Sequence, residues 1–155
     1  MTFIDDYNRK SWAFVLKLKD QALSFFKEFQ VRSERASGRK LKVVRIDNGG
    51  EYRGQFEEYC KSQGIRIEYT IPKTPELNGV GERMNRTIME RVRSMLSHAK
   101  LRKFYWAEAM YTTVYLINRS PLVPLKGDVP QRVWSGKHIS YQHPLKDKRS
   151  KLDSK

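Results

Sequence analysis

Two hydrophobic periods alternate along this 155-residue chain, and their order restricts it to a mixed α/β domain. Met1 to Ile4 is a short apolar stretch, followed by the turn-like Asp6-Tyr7-Asn8-Arg9. From Ser11 to Leu18 apolar residues recur with period two, with Trp12, Phe14, Leu16 and Leu18 on one face, which predicts a hairpin with the first stretch. Lys19 to Ala36 then takes helical spacing, with Ala22, Phe25, Phe26 and Phe29 on one face, Asp20 as its start and Gly38 as its stop. Leu41 to Ile46 reads as a strand, Phe56 to Gln63 as a short helix ended by Gly64, and Ile65 to Tyr69 as a strand. Thr70 to Asn78, with two prolines, reads as a loop. Gly79 to Ala99 reads as a helix with Val80, Met84, Ile88, Val92, Met95, Leu96 and Ala99 facing inward. Phe104 to Asn118 is nearly all apolar, so it is buried or an interface. Residues 1–120 form the expected core. Residues 121–155 read as an irregular, basic tail, with one helical turn at Pro130 to Trp134 and expected disorder from His138.

Charge narrows the function. The chain carries +14, and the segment 47–82, at −3, is the one acidic stretch in it. Excess positive charge favours a polyanion, whose counterions are released on binding. No apolar run reaches the ~20 residues that span a bilayer, and Asp5 and Asp6 interrupt the first apolar stretch, so neither a membrane span nor a signal peptide is expected. The single cysteine, Cys60, excludes an internal disulfide and fits a reducing compartment, nuclear or cytoplasmic. His98, His138 and His143 are scattered and form no zinc pattern with it.

The acidic segment is bounded by two carboxylates in distinctive settings. Asp47 opens Asp47-Asn48-Gly49-Gly50-Glu51-Tyr52 at the end of the strand Leu41–Ile46. Glu82 sits in Asn78-Gly79-Val80-Gly81-Glu82-Arg83-Met84-Asn85-Arg86, near a helix start. Magnesium takes oxygen ligands and retains waters, so a few carboxylates from rigid elements suffice to hold it. Two-metal phosphoryl transfer uses such ions to activate the attacking oxygen and stabilise the leaving one. Either motif alone is a common turn or cap; together they form a candidate centre for Mg2+ or Mn2+.

The combination resembles the catalytic core of copia-type LTR-retrotransposon integrases. The likeness runs from Thr2-Phe3-Ile4-Asp5-Asp6-Tyr7-Asn8-Arg9-Lys10 through Asp47–Tyr52, Thr74-Pro75, Asn78–Arg86, Arg93-Ser94-Met95-Leu96 and Trp106-Ala107-Glu108-Ala109 to Tyr115–Pro121. It implies a ribonuclease-H-like fold, an Asp-Asp-Glu metal triad, 3′-end processing and DNA strand transfer, with element ends and target DNA as partners. By the resemblance, Asp47 is the second triad member and Glu82 the third. The family's first aspartate lies on a strand before the one starting at Met1, and no residue here takes that place. That strand would be central in the sheet, between the hairpin and Leu41–Ile46. Between Asp47 and Glu82 lie 34 residues, one fewer than usual, with the shortfall near Arg53-Gly54-Gln55-Phe56. The apolar segment that usually follows a sequence like His143-Pro144 is replaced by a basic run, and the preceding zinc-binding domain is absent. The chain therefore reads as an integrase-core fragment, expected to be inactive alone. A non-catalytic DNA-binding remnant and a structural partner of other integrase chains are the alternatives.

Four further residues join the candidate site. Arg86 shares a helix face with Glu82 and can reach a phosphate; Arg83 follows Glu82 directly. Lys73 and Asn78, on the expected loop, can position a DNA end. Asp5 and Asp6 read as turn and capping residues. The stretch Phe104–Asn118 is the expected surface for homo-oligomerisation.

Overall fold

The structure, a computed structural model, describes residues 1–46, 54–70 and 75–139, with side chains for all of these except Lys19 and residues 75–78. Its strands are β1 (Thr2–Ile4), β2 (Ser11–Ala13), β3 (Val43–Ile46) and β4 (Arg66–Tyr69); its helices are α1 (Ala22–Ser37), α2 (Gln55–Ser62), α3 (Pro75–His98), α4 (Trp106–Ile117) and α5 (Pro130–Ser135). The mixed α/β class and the element order are as the periodicity implied.

Period-two alternation in β2 sets the layers. Trp12 and Phe14 point to one side of the hairpin, where they pack with Phe3 against Phe26 and Phe29 of α1 and, beyond them, Phe56 and Cys60 of α2. Ala13 points to the other side and joins Ile88, Val92 and Leu96 of α3 and Met110, Val114 and Ile117 of α4. The four-residue spacing of Ile88, Val92 and Leu96 lays them on one stripe of α3. Helices therefore cover both faces of the strands, giving a three-layer arrangement. The expected inward face of α3 is realised except at Ala99, which is exposed beyond the helix end.

Among the described residues the strands form two separate sheets. β1 and β2 pair antiparallel, with Phe3 opposite Trp12. β3 and β4 pair in parallel, with Val44 opposite Ile67. The hairpin does not dock on β3. A cleft of about 1140 Å3 lies between them, reached by both sheets, α1, α3 and α5.

Several boundaries differ from the sequence reading. The second strand stops at Ala13 rather than Leu18, and a 3-10 turn at Lys19–Gln21 precedes α1. Gln21, not Asp20, stands at the N-cap of α1; its side-chain Oε1 accepts from the backbone N–H groups of Lys17 (3.0 Å) and Leu18 (3.2 Å). α3 starts at Pro75, not Gly79, so the expected loop is four residues shorter on that side. Proline at a first helical position sacrifices an N–H that would have no partner there anyway. Residues 121–136 also pack on the core: the Gln131 N–H donates to the Asn118 carbonyl (2.9 Å), Pro130 is buried, and Trp134 meets Trp12 edge-to-face at 6.0 Å. The expectation of disorder beyond residue 139 falls outside the described residues.

Lys10 ties α5 to the hairpin. The residue is buried, and its Nζ lies 3.2 Å from the Trp134 ring centre and 5.0 Å from that of Trp12. Burial pushes its pKa from the ordinary 10.5 down to about 8; Arg119 adds to the fall and Asp5 opposes it. The indole faces favour the cation and return part of the cost. Below about pH 8 both folded and unfolded chains carry the proton, and the cost of the buried charge is fully present. Between about 8 and 10.5 the folded chain has released its proton while the unfolded chain keeps it, so stability climbs with pH. Chemical denaturation across this window is expected to show that climb in the natural chain and a flatter profile in Lys10→Met, which keeps an unbranched side chain between the rings without the charge.

Candidate nucleic-acid and metal site

The cleft brings together the two elements that carry the candidate carboxylates. Ile46, the last residue of β3 and the one before Asp47, lines it. Val80 and Gly81, the two residues before Glu82, line it too. Parallel pairing with β4 fixes that end of β3, since the Thr70 N–H donates to the Ile46 carbonyl at 3.0 Å and the Thr70 hydroxyl donates to it at 3.3 Å. Glu82 is exposed on α3, and its helix is anchored by the buried Ile88 and Val92 beyond it. Asp47 and Lys73 lie outside the described residues. Asn78 stands in the first turn of α3 rather than on a loop.

The early start of α3 puts Glu82 beyond the main reach of the helix dipole. The residue is two turns inside the helix, whereas the dipole acts mainly within the first turn. Arg83 and Arg86 are both exposed, but they differ in setting. A Cβ at Gly79 would lie 3.2 Å from Nη1 of Arg83, so the Arg83 guanidinium folds back over the preceding turn. Arg86 stands one turn beyond Glu82 on the same face, and Arg91 and Arg93 continue the exposed basic surface of the helix.

Asp5 and Asp6 are engaged elsewhere. Asp5 Oδ1 accepts from the N–H groups of Tyr7 (3.0 Å) and Asn8 (2.9 Å), which closes the hairpin turn. Asp6 pairs with Arg9 (2.5 Å) and with Arg45 (3.6 Å). Arg45 also meets Glu68 at 3.3 Å, and Glu68 meets Arg66 at 2.8 Å. This chain of charges joins the hairpin to the second sheet. Its members are largely exposed, so each pair adds at most about 1 kcal/mol. The sequence reading missed it, although Arg45 and Glu68 face each other across the β3–β4 register.

Among the described residues no cluster of three His, Cys, Asp or Glu side chains could hold a metal ion. The donor chemistry nevertheless fits a hard divalent cation: Glu82 offers an exposed carboxylate one residue beyond the cleft wall, where none of the described ion pairs engages it. No helix among the described residues is long and apolar enough to cross a membrane.

No protein-family model matches the chain. Against individual proteins it is 54% identical, over its whole length, to the retrovirus-related Pol polyprotein from transposon TNT 1-94 of Nicotiana tabacum. Its homologues are retrovirus-related Pol polyproteins of plant copia-type transposons. A further one, from transposon RE1 of Arabidopsis thaliana, is 36% identical across 90% of the chain. The chain spans only 13% and 9% of the lengths of these two Pol polyproteins. Among solved structures, a simian T-cell lymphotropic virus intasome in complex with PP2A regulatory subunit B56 gamma superposes with a TM-score of 0.69 at 20% identity, over 92% of this chain and 51% of that one. The HTLV-2 integrase catalytic core domain in complex with magnesium, in a trimeric form, gives 0.65 at 18% identity, over 86% and 82%. The fold is thus ribonuclease-H-like, as in retroviral integrase cores, on a segment shared with transposon Pol polyproteins.

Proposed function

We propose that these residues are an integrase-core segment that serves DNA integration, with Asp47 and Glu82 as the carboxylates that hold Mg2+ or Mn2+. The observation that carries this is the shared cleft wall: the residues immediately before Asp47 and Glu82 both line it. Bound there, a divalent ion would polarise a phosphoryl oxygen and lower the pKa of a bound water. Arg86 binds a phosphate beside Glu82, Arg83 and Asn78 approach from the preceding turns, and Lys73 acts from the segment between β4 and α3. The work is assigned to the nucleus or cytoplasm.

The reaction of the integrase family uses a third carboxylate. Asp5 and Asp6 do not supply it, because their oxygens cap a turn and pair with arginines. The 155 residues by themselves are therefore expected to bind DNA without joining ends. Binding should be mainly electrostatic, with affinity for a duplex falling by a log–log slope of about 0.9 per phosphate contacted. Arg86→Ala should flatten that slope by about one contact. Fluorescence anisotropy with a labelled duplex across a salt series measures both, and an affinity indifferent to salt would contradict the reading.

A second role is self-association. The buried face of α4 packs on α3, while Tyr111 and Leu116 are exposed on its two opposite flanks, and Phe104 at the entrance to the helix is 84% exposed. Exposed large apolar groups along Phe104–Asn118 suit contact with another copy.

A further inference from the structure

We propose that Lys10 and Arg119 form a binding site for one phosphate group, where the hairpin meets the end of α4. The inference goes beyond the DNA-integration reading, since it uses neither Asp47 nor Glu82 and no metal ion.

A side-chain clasp brings the two cations together. Asn118 Oδ1 accepts from the Ser11 N–H at 2.8 Å and Asn118 Nδ2 donates to the Ser11 carbonyl at 2.7 Å, so Lys10 and Arg119, which flank the clasp, are held as neighbours. The Lys10 backbone is fixed as well. Its N–H donates to Asn8 Oδ1 and its carbonyl accepts from the Asp5 N–H, both at 2.9 Å. The Lys10 side chain, in a residue only 8% exposed, ends against the Trp134 and Trp12 rings. The Arg119 guanidinium lies on the Tyr115 ring, with Cζ 3.7 Å from the ring centre. Its Nε is buried and has no hydrogen-bond partner. Arg119 is half-buried and is the more open of the two residues. Neither joins an ion pair among the described residues.

Two enclosed cations side by side favour an anion between them. A charge taken out of water is costly unless it is paired, and aromatic faces replace only part of its hydration. Burial and the Arg119 charge both press the Lys10 amine towards its neutral form, while Asp5 opposes them. Asp5 makes none of the described ion pairs, and its Oδ1 is taken by the Tyr7 and Asn8 N–H groups. The group of three therefore keeps an excess of positive charge. Phosphate suits the donors better than carboxylate does. An ammonium offers three N–H groups and a guanidinium five in a planar fork, more than two carboxylate oxygens can meet. A free phosphate, or a phosphate at the end of a nucleic-acid strand, brings at least three acceptor oxygens.

The test adds inorganic phosphate to the 155-residue chain at fixed ionic strength and follows the Lys10 side chain by NMR as pH is varied. An anion beside an amine favours its protonated form. The Lys10 midpoint, about 8 without phosphate, is expected to rise by about one pH unit, a tenfold gain in proton affinity. Acetate at the same ionic strength should leave it in place. By linkage, phosphate affinity should fall as pH rises through that midpoint. Arg119→Gln keeps Lys10 as the reporter and should remove most of the shift. In Lys10→Met the Arg119 Nε–H resonance is the reporter, and phosphate should bind about tenfold more weakly, so a folding failure in one variant leaves the other to decide. The Asp47→Asn, Glu82→Gln double variant should respond like the natural chain, which separates this site from the metal assignment. A second arm uses a short duplex with or without a 5′-phosphate. A shift with the phosphorylated duplex alone assigns the group to a strand end, and a shift with free phosphate alone assigns it to the free anion; either supports the site. A midpoint unmoved by both phosphate and the phosphorylated duplex would overturn the proposal. So would an equal shift with acetate or with the unphosphorylated duplex, or one that survives intact in Arg119→Gln.

Discussion

Phe26→Ala is expected to destabilise the fold by about 3–5 kcal/mol, a large share of the ~5–15 kcal/mol typical of a domain. Phe26 is fully buried, with ring centres of Phe56 at 4.8 Å, Phe3 at 5.9 Å, Tyr59 at 6.2 Å and Phe29 at 6.5 Å. It therefore joins α1 to both α2 and the hairpin. Removing the ring leaves a cavity walled by rigid aromatic groups that cannot collapse around alanine. Phe25, one position earlier and only half-buried, is the control, and its replacement should cost much less. Urea denaturation measures both. A loss under about 1 kcal/mol at Phe26 would mean that the aromatic cluster does not organise the fold.

Asn118→Ala is expected to cost about 2–4 kcal/mol, more than a single neutral hydrogen bond ordinarily contributes. The Asn118 side chain is buried between α4 and β2. Its Oδ1 accepts from the Ser11 N–H at 2.8 Å, and its Nδ2 donates to the Ser11 carbonyl at 2.7 Å. The clasp spans residues 107 apart and fixes the hairpin against α4. Alanine leaves a buried backbone donor and a buried acceptor without partners at once. Asn118→Asp keeps the acceptor but loses the donor, so it should not rescue stability. Thermal unfolding of both variants checks this, and a natural melting temperature in either would contradict the role assigned to the amide.

The layers were legible because they depend on period alone. Trp12, Ala13 and Phe14 alternate between two clusters, and Ile88, Val92 and Leu96 repeat at four, so any fold that buries them must place helices on both sides. The start of α3 was not legible by the same rule. Asn78-Gly79 reads as a turn, yet tertiary packing of a long stripe carries the helix through both glycines back to Pro75. The Asn118 clasp was hidden for a different reason: its partner is backbone 107 residues away, and no spacing rule links the two. The same holds for Lys10, which is enclosed by Trp12 and by Trp134 from the far end of the chain. At the candidate site, Glu82 and Arg86 are both exposed on α3, one turn apart, whereas the geometry of Asp47 and Lys73 lies outside the described residues. What brings the two segments together is the cleft wall that Ile46 and Gly81 share.

Paramagnetic broadening by Mn2+ tests that connection most directly. Because the unpaired electrons of the ion act over short range, the amides nearest the bound metal disappear first from an NMR spectrum. If Asp47 and Glu82 share the ion, Ile46 and Gly81 should broaden together at low Mn2+, and the broadening should vanish in the Asp47→Asn, Glu82→Gln double variant while the fold persists. Broadening of Ile46 and Gly81 that survives the double variant, or that falls elsewhere in the natural chain, would contradict the assignment.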